Sequence, residues 1–74
     1  MVQQRIVAPV TGSVLAHSAS VGARVFAGAV VLVLESMKLE ISIESPWDGE
    51  VIWLAPMGDA VQVEETIAII STAA

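Results

Sequence analysis

The residues best suited to chemistry in this chain stand together in Glu35-Ser36-Met37-Lys38-Leu39-Glu40. Lys38 is the sole lysine and falls near the middle of the 74 residues. A primary amine can be acylated by an activated carboxyl group, provided a partner enzyme takes up the proton that a free lysine holds at neutral pH. An exposed lysine at a turn is ordinarily a solvated charge, so the case for chemistry rests on its surroundings. Competing groups are few. His17 is the only histidine; no serine and carboxylate converge on it in the sequence, and it reads as a surface loop histidine. Ser36 has no base beside it and reads as a small turn residue. Glu35 and Glu40 flank the lysine, placed to pair with it or with basic residues of a partner; because exposed ion pairs contribute only about 0–1 kcal/mol, docking is the better use. Glu44, Asp48, Glu50, Asp59, Glu64 and Glu65 are scattered without ligand grouping, so no metal is expected. The absence of cysteine removes disulfides, thiolate metal sites and a thiol nucleophile.

The lysine needs elements to present it, and the pattern supplies strands. Leu39, Ile41 and Ile43 alternate with Glu40, Ser42 and Glu44, the period of a half-buried strand. Val30 to Leu34 and Ile67 to Ile70 are short runs rich in β-branched residues and leucine. Val61-Gln62-Val63 begins another alternation, and Trp53 falls in the apolar strand Val51 to Leu54, where partial burial is expected. Trp47, between Pro46 and Gly49, is expected to be half exposed. Glycines at 12, 22, 28, 49 and 58 and prolines at 9, 46 and 56 punctuate these segments. Gly22, Gly28, Gly49 and Gly58 read as turn residues, with no strand-to-helix setting for a phosphate loop. The motif itself lies between an apolar and an alternating strand and so at a hairpin tip, yet it lacks the Asn-Gly or Asp-Gly that tight hairpins favour. A local rule broken in this way marks a place where function overrides stability.

The chain also repeats itself. Ala8-Pro9-Val10-Thr11-Gly12-Ser13-Val14 aligns with Ser45-Pro46-Trp47-Asp48-Gly49-Glu50-Val51 at an offset of 37. Val21-Gly22-Ala23-Arg24-Val25 then aligns with Met57-Gly58-Asp59-Ala60-Val61 at an offset of 36, as do the runs Val31 to Leu34 and Ile67 to Ile70. Glu64 replaces Gly28 in this alignment, so that turn is expected to differ. The half-repeats run from about 6 to 36 and from 43 to 72. Neither buries its apolar face alone, so the two must pack with approximate two-fold symmetry into an all-β sandwich or barrel, one domain over 1–74.

Composition agrees. Hydrophobic residues make up 55% and charged residues 15% of the chain, which excludes disorder. A chain this short buries only roughly 60% of its unfolded surface, so stability must come from packing. The net charge of −5 argues against nucleic acid or an anionic membrane as a partner. The apolar run Phe26 to Leu34 has nine residues, far short of the ~20 of a membrane span. No signal peptide is recognisable, so a cytoplasmic protein is expected.

Glu-Ser-Met-Lys-Leu resembles the attachment motif of biotin carboxyl carrier (biotinyl) domains, whose commonest form is Glu-Ala-Met-Lys-Met. The resemblance extends from the Ala-Pro-x-x-Gly-x-Val opening to the last apolar strand. It implies a flattened β-barrel or sandwich of two four-stranded antiparallel sheets with quasi-two-fold symmetry, the modified lysine on a hairpin between the halves. It implies biotin on Lys38 through an amide, Met37 as the flanking methionine, Ser36 in place of alanine and Leu39 in place of the second methionine, with Glu35 opening the motif. The segment Val14 to Val25 is as short as Val51 to Val61, so the protruding "thumb" of some bacterial carriers is not expected. The partners implied are a biotin-protein ligase, a biotin carboxylase using ATP and bicarbonate, and a carboxyltransferase acting on an acyl-CoA or similar acceptor. The chain itself would be a carrier and not an enzyme. Neither end has a linker rich in Pro, Ala or Gly, as expected of a small independent protein. Two alternatives stand beside this one. Lipoyl domains share the fold but place Asp where Met37 stands, and an unmodified module would simply bind another protein.

Overall fold

The computed structural model describes residues 1–73 and contains eight strands and no helix: β1 (Val2–Val7), β2 (Gly12–His17), β3 (Arg24–Val25), β4 (Val30–Ser36), β5 (Leu39–Glu44), β6 (Gly49–Leu54), β7 (Ala60–Val61) and β8 (Thr66–Thr72). They form two four-stranded antiparallel sheets, ordered β1-β8-β6-β3 and β5-β4-β2-β7. The sheets face one another without closing into a barrel.

The internal repeat is visible strand by strand. β1 to β4 correspond to β5 to β8, and each sheet takes its two middle strands from one half and its two edges from the other. Neither half can therefore complete a sheet alone. The equivalence reaches single residues. β2 shifts register against β4 between Val14 and Ala16, and β6 shifts against β8 between Val51 and Trp53. The Gly22 amide donates to the Val51 carbonyl at 2.7 Å, and Gly58 donates to Val14 at 2.8 Å. The same match corrects two expectations. Glu64 adopts φ +72°, the left-handed conformation of Gly28 at +92°, so the two turns are alike. Each is pinned by the opposite half, Glu64 N–H to the Ala8 carbonyl (2.7 Å) and Gly28 N–H to the Ser45 carbonyl (2.8 Å). That tertiary bond overrides the ordinary reluctance of a β-carbon residue to take positive φ. The alternation begun at Val61 also stops at once: β7 ends at Val61, and Gln62 to Glu65 turn back towards β8.

Strand pairing aligns the inward apolar residues. Leu32 faces Ile43 and Leu34 faces Ile41 in one sheet; Val51 faces Ile70 and Leu54 faces Ala68 in the other. Leu32, Leu34, Val51, Ile67 and Ile70 are fully buried, and each contributes roughly 1.5–3 kcal/mol by leaving water. Ser45 is buried with them, its hydroxyl donating to the Trp47 carbonyl at 2.7 Å. Trp47 packs half-buried on the core. Trp53 faces outward beside the register shift and is 41% exposed.

One connection differs from all the others. Six of the seven links carry the chain from one sheet to the other; only β4 and β5 are both consecutive and hydrogen-bonded neighbours. That hairpin holds Met37 and Lys38.

Candidate attachment site

In the β4–β5 hairpin Ser36 pairs with Leu39 and Glu35 with Glu40, leaving Met37 and Lys38 as a two-residue loop. Their φ angles are +51° and +67°. Positive φ at both central positions is the type I′ turn, which matches the twist of the flanking strands and ordinarily selects Asn-Gly. Holding L-residues with side chains there costs about 1–2 kcal/mol per residue. The break with local propensity read in the sequence is thus present in the backbone.

The result is projection. Met37 is 92% and Leu39 66% exposed, and Lys38 between them is exposed too. Leu39 continues the inward row of Ile41 and Ile43 past the end of the core. Glu35 and Glu40 stand on the outer face, with Ser42 and Glu44 further along β5. Both arginines, Arg5 in β1 and Arg24 in β3, belong to the other sheet.

Two residues that the motif does not include hold the hairpin from below. Gly12 lies where a Cβ would run into the Glu35 carbonyl oxygen, so only glycine lets β2 come this close to the base of the tip. Its counterpart Gly49 meets the Ser71 carbonyl in the same way; the shared offset of 37 was the available signal. Thr11 accepts a hydrogen bond from the Ser36 hydroxyl on its carbonyl at 2.8 Å, and from the Val63 amide on its own hydroxyl at 3.3 Å. No sequence signal pointed to Thr11. Ser36 itself is the last residue of β4, just ahead of the turn's central pair.

The other candidates stay apart from this site. His17 ends β2 instead of lying in a loop, because pairing with Leu32 carries the strand to it. Its Nε2 donates to the Ala55 carbonyl at 2.7 Å. A groove of about 450 Å³ lies at the end that carries the chain termini, lined by Arg24, Asp48, Glu50 and Thr72 among others. Among the described residues no three His, Cys, Asp or Glu gather in a way that could hold a metal, and no helix is long and apolar enough to cross a membrane. The arrangement is a protruding amine on a paired support, with Met37, Lys38 and Leu39 exposed at the tip of the β4–β5 hairpin.

Solved structures share this architecture. Urea carboxylase of Kluyveromyces lactis is 28% identical with a TM-score of 0.89 over 96% of this chain. A single-chain, multi-domain long-chain acyl-CoA carboxylase matches at 23% identity and a TM-score of 0.87 over 97%. A succinylglutamate desuccinylase/aspartoacylase family protein of Shewanella amazonensis SB2B matches at 19% and 0.83 over 96%. The last two likenesses are of fold alone. This chain spans 6%, 7% and 20% of the lengths of those proteins. The sequence matches the biotin/lipoyl family, described as biotin-requiring enzyme, over residues 4–70. With the family matched from the first strand to the last and the hairpin lysine at its centre, this chain belongs to the biotin-requiring enzyme family of biotin/lipoyl domains.

Proposed function

We propose that Lys38 receives biotin and that the chain carries a carboxyl group from a biotin carboxylase to a carboxyltransferase acting on an acyl-CoA or similar acceptor. The observation that carries this reading is the Met37-Lys38 type I′ turn, a strained and fully projecting lysine at the only direct hairpin among the described residues. In the attachment step the Lys38 amine, its proton taken up by the ligase, attacks the acyl carbon of a biotinyl-adenylate. An amide forms and AMP leaves. When bound, biotin supplies a ureido nitrogen that accepts and releases a carboxyl group.

What the chain's own residues do follows from their placement. The two sheets and the Gly12 contact fix the base of the hairpin, so Lys38 is presented without a search for its conformation. The lysine side chain and the arm beyond it form a long tether, and tethering makes the second encounter intramolecular. Met37 and Leu39 surround the amine with thioether and alkyl groups, adaptable in contact and without a nucleophile to compete for the carried carboxyl group. Met37 also stands where lipoyl domains have Asp, which favours biotin over lipoate. Glu35 and Glu40 offer carboxylates to a basic partner surface. A cytoplasmic setting, where ligase, ATP and bicarbonate meet, goes with this reading.

The test is intact mass after co-expression with biotin ligase and free biotin, for the natural sequence and for Lys38→Arg. A single biotinyl increment that disappears in the variant is expected. Absence of the increment in the natural sequence overturns the reading. A lipoyl ligase applied to the same sample then separates a lipoyl carrier from an unmodified binding module.

A further inference from the structure

The biotin motif in its commonest form has alanine where this chain has Ser36, and alanine has no hydroxyl to donate. Here the Ser36 Oγ reaches the Thr11 carbonyl at 2.8 Å, across 25 residues of sequence. Thr11 is itself held: its Oγ1 accepts from the Val63 amide at 3.3 Å. Val63 belongs to the turn after β7, whose next residue, Glu64, is fixed in the left-handed conformation by its bond to Ala8. The β1–β2 turn, the β7–β8 turn and the hairpin are therefore joined at one threonine.

The quasi-two-fold frame shows which of these bonds belong to the fold and which are particular to the site. Asp48 stands where Thr11 stands in the other half, and it holds the Ala27 amide at 2.7 Å as Thr11 holds that of Val63. That clasp belongs to the frame. Thr72 occupies the place of Ser36, and its hydroxyl goes to the Val2 carbonyl at 3.4 Å, not to the Asp48 turn. The Ser36–Thr11 bond thus has no equivalent at the other end. It sits one residue before two backbone positions of unfavourable φ.

We infer that Ser36 is a positioning residue for the acylation of Lys38, tying the left-handed Met37-Lys38 turn to Thr11 and limiting its local opening. This rests on the proposed modification of Lys38. A neutral hydroxyl-to-carbonyl bond of this kind shifts a local equilibrium by roughly three- to tenfold. The bond restrains the turn without touching the amine, so its loss lowers the fraction of carriers presented correctly. The ligase would then show a higher KM for the carrier at an unchanged kcat.

The experiment compares the natural sequence with Ser36→Ala, Ser36→Thr and Thr11→Val. Amide hydrogen exchange is followed by NMR, and steady-state biotinylation by the ligase is measured alongside. Expected are a roughly three- to tenfold faster exchange at Leu39, which pairs with Ser36 across the turn, in Ser36→Ala, exchange at Ile70 unchanged, a rise in KM, and recovery of both in Ser36→Thr. Thr11→Val keeps the carbonyl that Ser36 uses and should move the hairpin amides less than Ser36→Ala does. Unchanged exchange at the hairpin in Ser36→Ala overturns the inference, as does acceleration shared equally with Ile70, which would mean general destabilisation. Unchanged KM with faster hairpin exchange also overturns it, because the tie would then not serve acylation. If the natural sequence takes no biotin, the modification of Lys38 fails as a reading while the exchange data still decide whether Ser36 holds the turn.

Discussion

The two ends of the sandwich are built on one plan and finished differently. At one end β4 runs into β5 through Met37 and Lys38; at the other, the equivalent strands β8 and β1 carry the chain termini. The close approach that requires glycine is present at both, Gly12 against Glu35 and Gly49 against Ser71. The residues facing each other next to the tip are Glu35 and Glu40, whereas their counterparts are the neutral Ser71 and Gln3. Positive φ on two successive side-chain-bearing residues occurs only at the hairpin among the described residues. The frame is therefore indifferent to function. What sets the candidate site apart is a set of departures from the frame, most of them locally unfavourable and all gathered at one end.

The comparison breaks most sharply at the two glycines. Gly12→Ala and Gly49→Ala each force a methyl into a carbonyl of the neighbouring strand, and each is expected to destabilise by about 1–3 kcal/mol in urea unfolding. The structural effects should match while the functional ones should not. Gly12→Ala displaces β4 at Glu35 and slows biotinylation several-fold at temperatures where the protein stays folded. Gly49→Ala leaves labelling of the folded fraction unchanged. Equal slowing in both variants would mean that the site depends on overall stability and not on the support beneath the hairpin.

A smaller effect, of opposite sign, belongs to the turn itself. Replacing Met37 and Lys38 together (Met37→Asn with Lys38→Gly) supplies the residues that type I′ turns select. It should stabilise the domain by about 1–2 kcal/mol while removing the acceptor amine. A higher urea midpoint with an unchanged denaturant slope is the expected reading; no gain would show that the left-handed pair is not strained.

How much could be read beforehand divides along the same line. Alternation in Leu39 to Glu44, the apolar run of β4, and the two matched Pro-to-Gly turns revealed an all-β, two-fold fold, because period and punctuation depend on nearest neighbours. β1 escaped notice because Gln3, Gln4 and Arg5 hide the strand that pairing with β8 creates. The conformation of Glu64 and the burial of Ser45 were hidden for a related reason, since both are set by partners in the opposite half. At the candidate site, the unfavourable turn at Met37 and Lys38 was legible in the residues themselves. Thr11 was not, because its role lies in a contact that spans the whole first half-repeat.

The smallest expected effect tests whether the charges at the tip serve the fold or a partner. Glu35 and Glu40 face each other directly across the β4–β5 ladder, an arrangement that disfavours the hairpin where unlike or neutral pairs would support it. Glu40→Gln should stabilise the domain by roughly 0.2–0.5 kcal/mol at low salt. The gain should fade towards 1 M salt, where the screening length falls to about 3 Å. A double-mutant cycle with Glu35→Gln isolates the pair: once either charge is gone, removing the other should add little beyond the change in net charge. If the two substitutions are simply additive, the carboxylates do not interact and their placement says nothing about selection. If they are coupled, the pair opposes folding on its own account. Retaining it beside the only lysine then points to a use outside the domain, the attraction of a basic partner surface. That use has its own signature, because Glu40→Gln should weaken the salt dependence of ligase encounter as it strengthens the fold.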